Sequence, residues 1–294
     1  VGSEMCIRDR LMGKIDLPTH ISTSFRFIAS ISTFDYYKKD KLFSRNDKPS
    51  FNSKDERFVK LMVALPFLAN KRAEFSLGYG QLEDNYFQSS VIDFDKDRSD
   101  RSTYKLLGGS IGFYGSTLNT RQYATKGYLE KLIAQVFTGR ERFEPGNPQE
   151  GYSPSPQERQ SWLQISYMKE AYHTMGPKFT LGWMAEALYS SKNFSENYTA
   201  TMMQAGEFAP TPHSKLMYNE AFRANQYVAA GIKPIYVLND MFQFRTEFYG
   251  FTPIFPIKKN ALNKAYYGKA FSRFEYMGEV SVICHLPFGA ISAY

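Results

Sequence analysis

Gly108-Gly-Ser-Ile-Gly112 has the G-x-S-x-G spacing of a nucleophile elbow, in which a serine hydroxyl is exposed on a tight strand-to-helix turn. That chemistry needs a buried strand before the serine and a helix after it. Here Tyr104-Lys-Leu-Leu107 and Phe113-Tyr-Gly-Ser116 continue a single strand, so Ser110 reads as a small residue at a bend or in a narrow lumen. His173, His213 and His285 are the histidines that could partner a serine in a strand wall. His213 lies in Pro210-Thr-Pro-His-Ser, a loop stiffened by its prolines, and reads as a packed or exposed loop residue. No catalytic residue is assigned. The two cysteines, Cys6 and Cys284, and four histidines lack metal-ligand spacing, and no phosphate loop or dinucleotide fingerprint occurs. No metal or cofactor is therefore expected.

The other chemically suggestive residues are isolated charges inside apolar runs: Glu74, Glu186, Arg245, Glu247, Glu275 and Glu279. Each falls on the minor face of a two-residue alternation. Phe75, Leu77 and Tyr79 alternate with Glu74, Ser76 and Gly78. Phe242, Phe244 and Phe248 alternate with Gln243, Arg245 and Glu247. Val59 to Phe67, Leu163 to Tyr167, Phe179 to Ala187, Val228 to Leu238 and Phe274 to Leu286 repeat the pattern. Segments 25–37, 103–116 and 128–138 read as less regular strands, and Ala290 starts another. About eleven strands are expected.

The connections sort by length. Short ones fall near 68–72, 173–177, 239–240 and 287–289, with a medium one at 117–127. Long polar ones fall near 38–56, 88–102, 139–160, 191–222 and 253–271. Strict alternation of short and long connections suits a transmembrane barrel and rarely occurs in a soluble sandwich. No apolar run approaches the ~18 residues of a membrane-spanning helix, and mean hydropathy is −0.42. Strands average out as polar, so a barrel escapes that test. The apolar face should then meet hydrocarbon, and the six charges should face a wet lumen. Tyr36, Tyr37, Tyr79, Tyr86, Phe87, Tyr189 and Tyr249 are expected at the membrane interfaces. The chain carries a formal charge of +7 but no dense Lys/Arg run, so nucleic acid is not an expected partner. Basic stretches Lys38–Lys48 and Lys258–Lys269 are expected to contact outer-membrane lipid or lipopolysaccharide.

Gly112-Phe-Tyr-Gly-Ser-Thr-Leu-Asn-Thr-Arg-Gln-Tyr-Ala-Thr-Lys-Gly127 resembles a strand–turn–strand of the bacterial surface antigen family of outer-membrane barrels, with Ala124 where proline is usual. Pro210 to Lys215 and Phe222 to Ile235 resemble the barrel fused behind patatin-like phospholipases. Phe222 and Arg223 match part of that superfamily's Arg-Gly-Phe inward-loop motif, with Ala224 in place of the glycine. Leu286 to Ser292 resembles the final hairpin of these fusions. The resemblance covers most of residues 20–294. It implies an all-β, antiparallel transmembrane barrel of sixteen strands, of which this chain holds the later ones. It also implies the outer membrane of a Gram-negative bacterium, with a periplasmic domain and an amino-terminal serine acyl hydrolase in the parent protein. That hydrolase would cleave acyl esters through a Ser–Asp dyad that this chain does not hold.

Residues 1–10 resemble adaptor read-through and are set aside, leaving 11–294 as a partial barrel domain. The alternation stops at Tyr294 in mid-pattern, so the chain is expected to be an internal fragment. The expected function is a barrel that anchors or exports the hydrolase. The alternatives are an unfused assembly or secretion barrel and a soluble β-rich binding protein.

Overall fold

The computed structural model describes residues 6–17, 23–37, 51–88, 97–147, 159–239, 241–286 and 289–293. Twelve strands form one sheet: β1 (Cys6–Leu17), β2 (Thr23–Tyr37), β3 (Phe51–Leu68), β4 (Lys71–Tyr86), β5 (Asp100–Ser116), β6 (Gly127–Glu144), β7 (Arg159–Thr174), β8 (Phe179–Ser190), β11 (Gln226–Val237), β12 (Phe242–Pro253), β15 (Glu275–Leu286) and β16 (Gly289–Ala293). Every neighbour in that order is antiparallel, so the chain meanders along the sheet. The minor elements include helix α1 (Tyr198–Gln204), two 3-10 turns (Ser214–Leu216 and Glu220–Phe222) and two small pairs, β9 (Gly206–Glu207) with β10 (Arg223–Ala224) and β13 (Ile257–Lys259) with β14 (Ala265–Tyr267).

The sheet has one strand more than the alternation predicts. The addition is β1, which begins at Cys6, inside the stretch set aside as adaptor-like. The strands also run longer than expected: β3 and β6 each span 18 residues, where about 9–11 cross a bilayer. Polar runs such as Ser53-Lys-Asp-Glu-Arg57 remain paired with β4 and shorten the long connections to 38–50, 87–99, 145–158, 191–225 and 254–274. Among the described residues no helix is long and apolar enough to cross a membrane.

The two faces differ in the sense that the alternation requires. Leu61 and Leu77 are 57% exposed, and Phe75, Val136, Ile232 and Phe248 stand out beside them. Residues of the opposite parity along the strands, among them Ala64, Glu74, Leu106, Lys233, Arg245 and Ile283, are buried. Within the oily band the apolar side chains point outward, and the six charges read from the alternation have the inward parity, as in a sheet closing around a lumen. Tyr79 and Tyr189 lie on the outward face. Tyr86 and Tyr249 do not, which corrects their expected interfacial position. Tyr86 shares the parity of Glu74 and Asp84, Tyr249 that of Arg245 and Glu247, and both rings are buried inside. Phe87 is half-buried, and the side chains of Tyr36 and Tyr37 lie outside the described residues.

Candidate functional site

The segment 191–225 between β8 and β11 folds into the concave side of the sheet. Its start is fixed by Asn197, whose Oδ1 caps α1 by accepting from the Ala200 amide while its Nδ2 donates to the Tyr86 hydroxyl at 2.7 Å. The Tyr104 hydroxyl on β5 lies 2.7 Å from Ser195 Oγ, and Gln204 donates to Asp84 on β4. The Glu196 amide donates to Glu141 on β6. Lys192 stacks over Tyr104 and over Trp162 of β7, with Nζ 4.6 and 5.1 Å from the ring centres. Burial pulls the Lys192 amine down to about 8, against the opposing pull of the Glu141 and Asp84 carboxylates.

The far half of the segment packs on the opposite wall. Phe208 stacks on Phe251 of β12 and meets Tyr227 and Tyr249 edge-on. With Leu188, Phe222 and Met184 these rings form the largest apolar cluster among the described residues, inside the sheet rather than on its oily surface. Met277 of β15 packs against the same cluster, and Thr211 and Glu279 of β15 line one pocket. One connection thus touches the inner face of strands from β4 to β15.

Phe222 and Arg223 lie within this plug. Arg223, 5% exposed, pairs with Glu207 at 2.8 Å, donates to the carbonyls of Met202 and Met203, and covers the Tyr218 ring. Its partners belong to the same segment, so Arg223 ties α1 to the β9–β10 pair. Burial also pushes up the Tyr198 hydroxyl, to about 12, beside Glu220.

The six charges predicted for the lumen do not form one site. Arg245 and Glu247 are joined, with Nε 3.2 Å from Oε1, and they anchor a longer chain. Arg245 Nη2 donates to the Tyr172 hydroxyl, which donates to Glu170, and Glu170 pairs with Lys233 at 3.3 Å. Tyr249 donates to Glu247. Gly182 lets this chain cross β8: a Cβ there would stand 2.7 Å from the Tyr172 ring and 3.1 Å from Lys233. Glu74 is separate, held by Arg72 at 2.7 Å and Arg26 at 3.8 Å. Glu186 accepts from Tyr227, Glu275 pairs with Arg273, and Glu279 lines a pocket with Thr211 and His213. Lys233 and Glu170 were not singled out from sequence, although Lys233 has the inward parity of Ala229 and Gly231. Lys192, Asp84 and Glu207 gave no signal, because their partners are remote in sequence.

The short-turn end is plugged as well. Residues 117–126 turn inward, so that Arg245 Nη1 reaches the Ala124 carbonyl at 3.1 Å and the Tyr123 hydroxyl lies 2.8 Å from Ser292 Oγ. Gly127 permits the turn: it adopts φ +90°, and a Cβ would sit 2.1 Å from the Thr117 oxygen. Between the plugs a cavity of 380 Å³ is lined by Ser30, Lys60, Ser76, Gly108, Ser110 and Gln135, among others. Ser110 stands mid-strand with Oγ 2.6 Å from Ser76 Oγ, and the strand continues on both sides of it. His285 accepts from or donates to Gln243 at 2.8 Å, His173 is the penultimate residue of β7, and His213 sits in the plug. Lys258 and Lys259 are exposed, and Lys264 pairs with Glu196; the basic stretch 38–48 lies outside the described residues.

No family model matches the chain, and no curated protein matches it. Among solved structures, BamA from Haemophilus ducreyi lacking POTRA domains 1–3 superposes with a TM-score of 0.62 at 12% identity, over 98% of this chain and 57% of that one. The translocator domain of autotransporter NalP from Neisseria meningitidis gives 0.35 at 7% identity, over 94% of this chain and 86% of that one. The fold is that of an outer-membrane-type antiparallel β-barrel. The chain spans little more than half the length of the BamA structure.

Proposed function

We propose that this chain is the membrane-embedded barrel module of a Gram-negative outer-membrane protein, and that it anchors or exports an amino-terminal patatin-like acyl hydrolase. The observation that carries the barrel reading is the plugged lumen. Segment 191–225 and turn 117–126 fill the concave side through buried, hydrogen-bonded contacts, which suits an anchor better than an open diffusion pore. The fused hydrolase rests on the resemblance of residues 112–127 and 210–235, and the sixteen-strand count rests on the same ground. The chain itself supplies the wall and the plug; acyl-ester hydrolysis would belong to the fused domain.

Two measurements test the proposal. Membrane fractionation with heat-modifiable gel migration should find the chain in the outer membrane as a folded barrel, and a soluble, heat-insensitive species would refute it. The complete reading frame should encode, upstream, a G-x-S-x-G serine between a strand and a helix, with a glycine-rich oxyanion loop. Periplasmic repeat domains alone in that position would instead assign an unfused assembly or secretion barrel.

A further inference from the structure

Strand register lines up cations on the outward face. Arg57 of β3 is opposite Gln81 of β4, Gln81 opposite Lys105 of β5, Lys105 opposite Arg140 of β6, and Arg140 opposite Arg159 of β7. Like charges directly opposite one another destabilise a sheet. Three adjacent strands nevertheless carry Lys105, Arg140 and Arg159 side by side, about 5 Å apart per strand. The row contains no carboxylate. Glu83 and Glu144 stand nearer the long loops and are engaged by Arg101, at 3.3 and 3.9 Å, while Arg142 takes Glu144 at 2.8 Å. Among the described residues no carboxylate pairs with Lys105 or Arg140. The row borders a concavity of 580 Å³.

Its position along the strands identifies the ligand. One step toward the short turns lie Tyr79 and Leu107, 56% and 47% exposed, and beyond them Leu77, Val136 and Leu163. The cations therefore mark the border where the oily band ends on the long-loop side. A lipid whose acyl chains lie on that band would place its headgroup in the row. Arginine forks bind phosphate bidentately, and three cations across two strand spacings can meet more than one phosphate.

We propose that Lys105, Arg140 and Arg159 form a binding site for a phosphorylated glycolipid of the leaflet on the long-loop side. The inference rests on the barrel reading, because it needs the outward face to meet lipid. The test uses the full chain refolded into phosphatidylcholine vesicles. They carry either bisphosphorylated lipid A or the same lipid stripped of its phosphates, and retained lipid is measured after extraction. The wild type should retain the phosphorylated form, and the Lys105→Gln/Arg140→Gln/Arg159→Gln variant should bind it about tenfold more weakly. Should the triple variant fail to migrate as a folded barrel, Arg140→Gln alone is scored for the same loss. Equal retention of the two lipids, or an unchanged variant, overturns the site and leaves the barrel intact. Displacement by millimolar inorganic phosphate also overturns it, as a general anion site. Failure of the wild type to insert overturns the barrel reading and the site together.

Discussion

Arg245 on β12 donates to the backbone oxygen of Ala124, 121 residues earlier in the chain, at 3.1 Å. The same guanidinium bonds Glu247 through Nε and Tyr172 through Nη2, so one buried group ties the short-turn plug to two strands of the wall. Arg245→Ala leaves Glu247 buried and uncompensated, which typically costs about 3–5 kcal/mol. The temperature at which the barrel loses its folded gel migration should fall accordingly. Arg245→Lys should restore little of the loss, because a single ammonium cannot span three fixed directions. Full rescue by lysine would show that charge alone, not the fork, holds the turn.

Asn197 serves two partners, the Ala200 amide and the Tyr86 hydroxyl. Asn197→Ala removes a helix cap, worth about 1–2 kcal/mol, and leaves Tyr86 with Ser102 as its remaining bond. The effect should be local. Limited proteolysis within 191–225 should accelerate several-fold while the melting of the wall moves little. Cooperative collapse of the whole barrel would show that the plug and the wall fold as one unit.

The wall was readable because one rule governs it: alternate residues meet opposite media, so Leu77 and Glu74, or Phe244 and Arg245, declare their faces by parity. Tyr86 and Tyr249 obey that rule too; only their residue type, common at membrane interfaces, points the other way. The plug was not readable. Asn197 meets Tyr86 across 111 residues, and Tyr104 meets Ser195 across 91, so no local pattern announces either pair. Arg223 was marked by resemblance, yet its partner Glu207 follows from the β9–β10 pairing alone. The cation row is likewise a product of register: Lys105, Arg140 and Arg159 are unremarkable until three strands place them level.

Lys192 is buried between Tyr104 and Trp162, which brings its pKa to about 8 from an ordinary value of 10.5. The unfolded chain therefore holds this proton more tightly than the folded one. Below about 8 the burial penalty is present in full. It is relieved as pH rises from about 8 toward the unfolded value, so stability from this group increases across that window. Urea unfolding of the refolded chain at pH 7.5, 9 and 10 should show a rising contribution that Lys192→Met abolishes. Parallel pH curves for the variant and the wild type would place the ammonium in contact with water.

Leu77 is 57% exposed on the outward face, one residue from Ser76, which lines the internal cavity. In water, Leu77→Arg at such a site would be nearly neutral, since an exposed arginine is well solvated. In hydrocarbon an arginine near the bilayer centre costs about 2–4 kcal/mol. The two media thus predict opposite results for one substitution. Folding into vesicles, followed by heat-modifiable migration, should be strongly impaired for Leu77→Arg. Ser76→Asn, on the luminal side and hydrogen-bonding in character, should fold much like the wild type. The pairing of these adjacent positions separates a membrane effect from general damage to β4. Normal insertion of Leu77→Arg would mean that the oily face does not meet lipid, and both the barrel assignment and the lipid site on β5–β7 would fall with it.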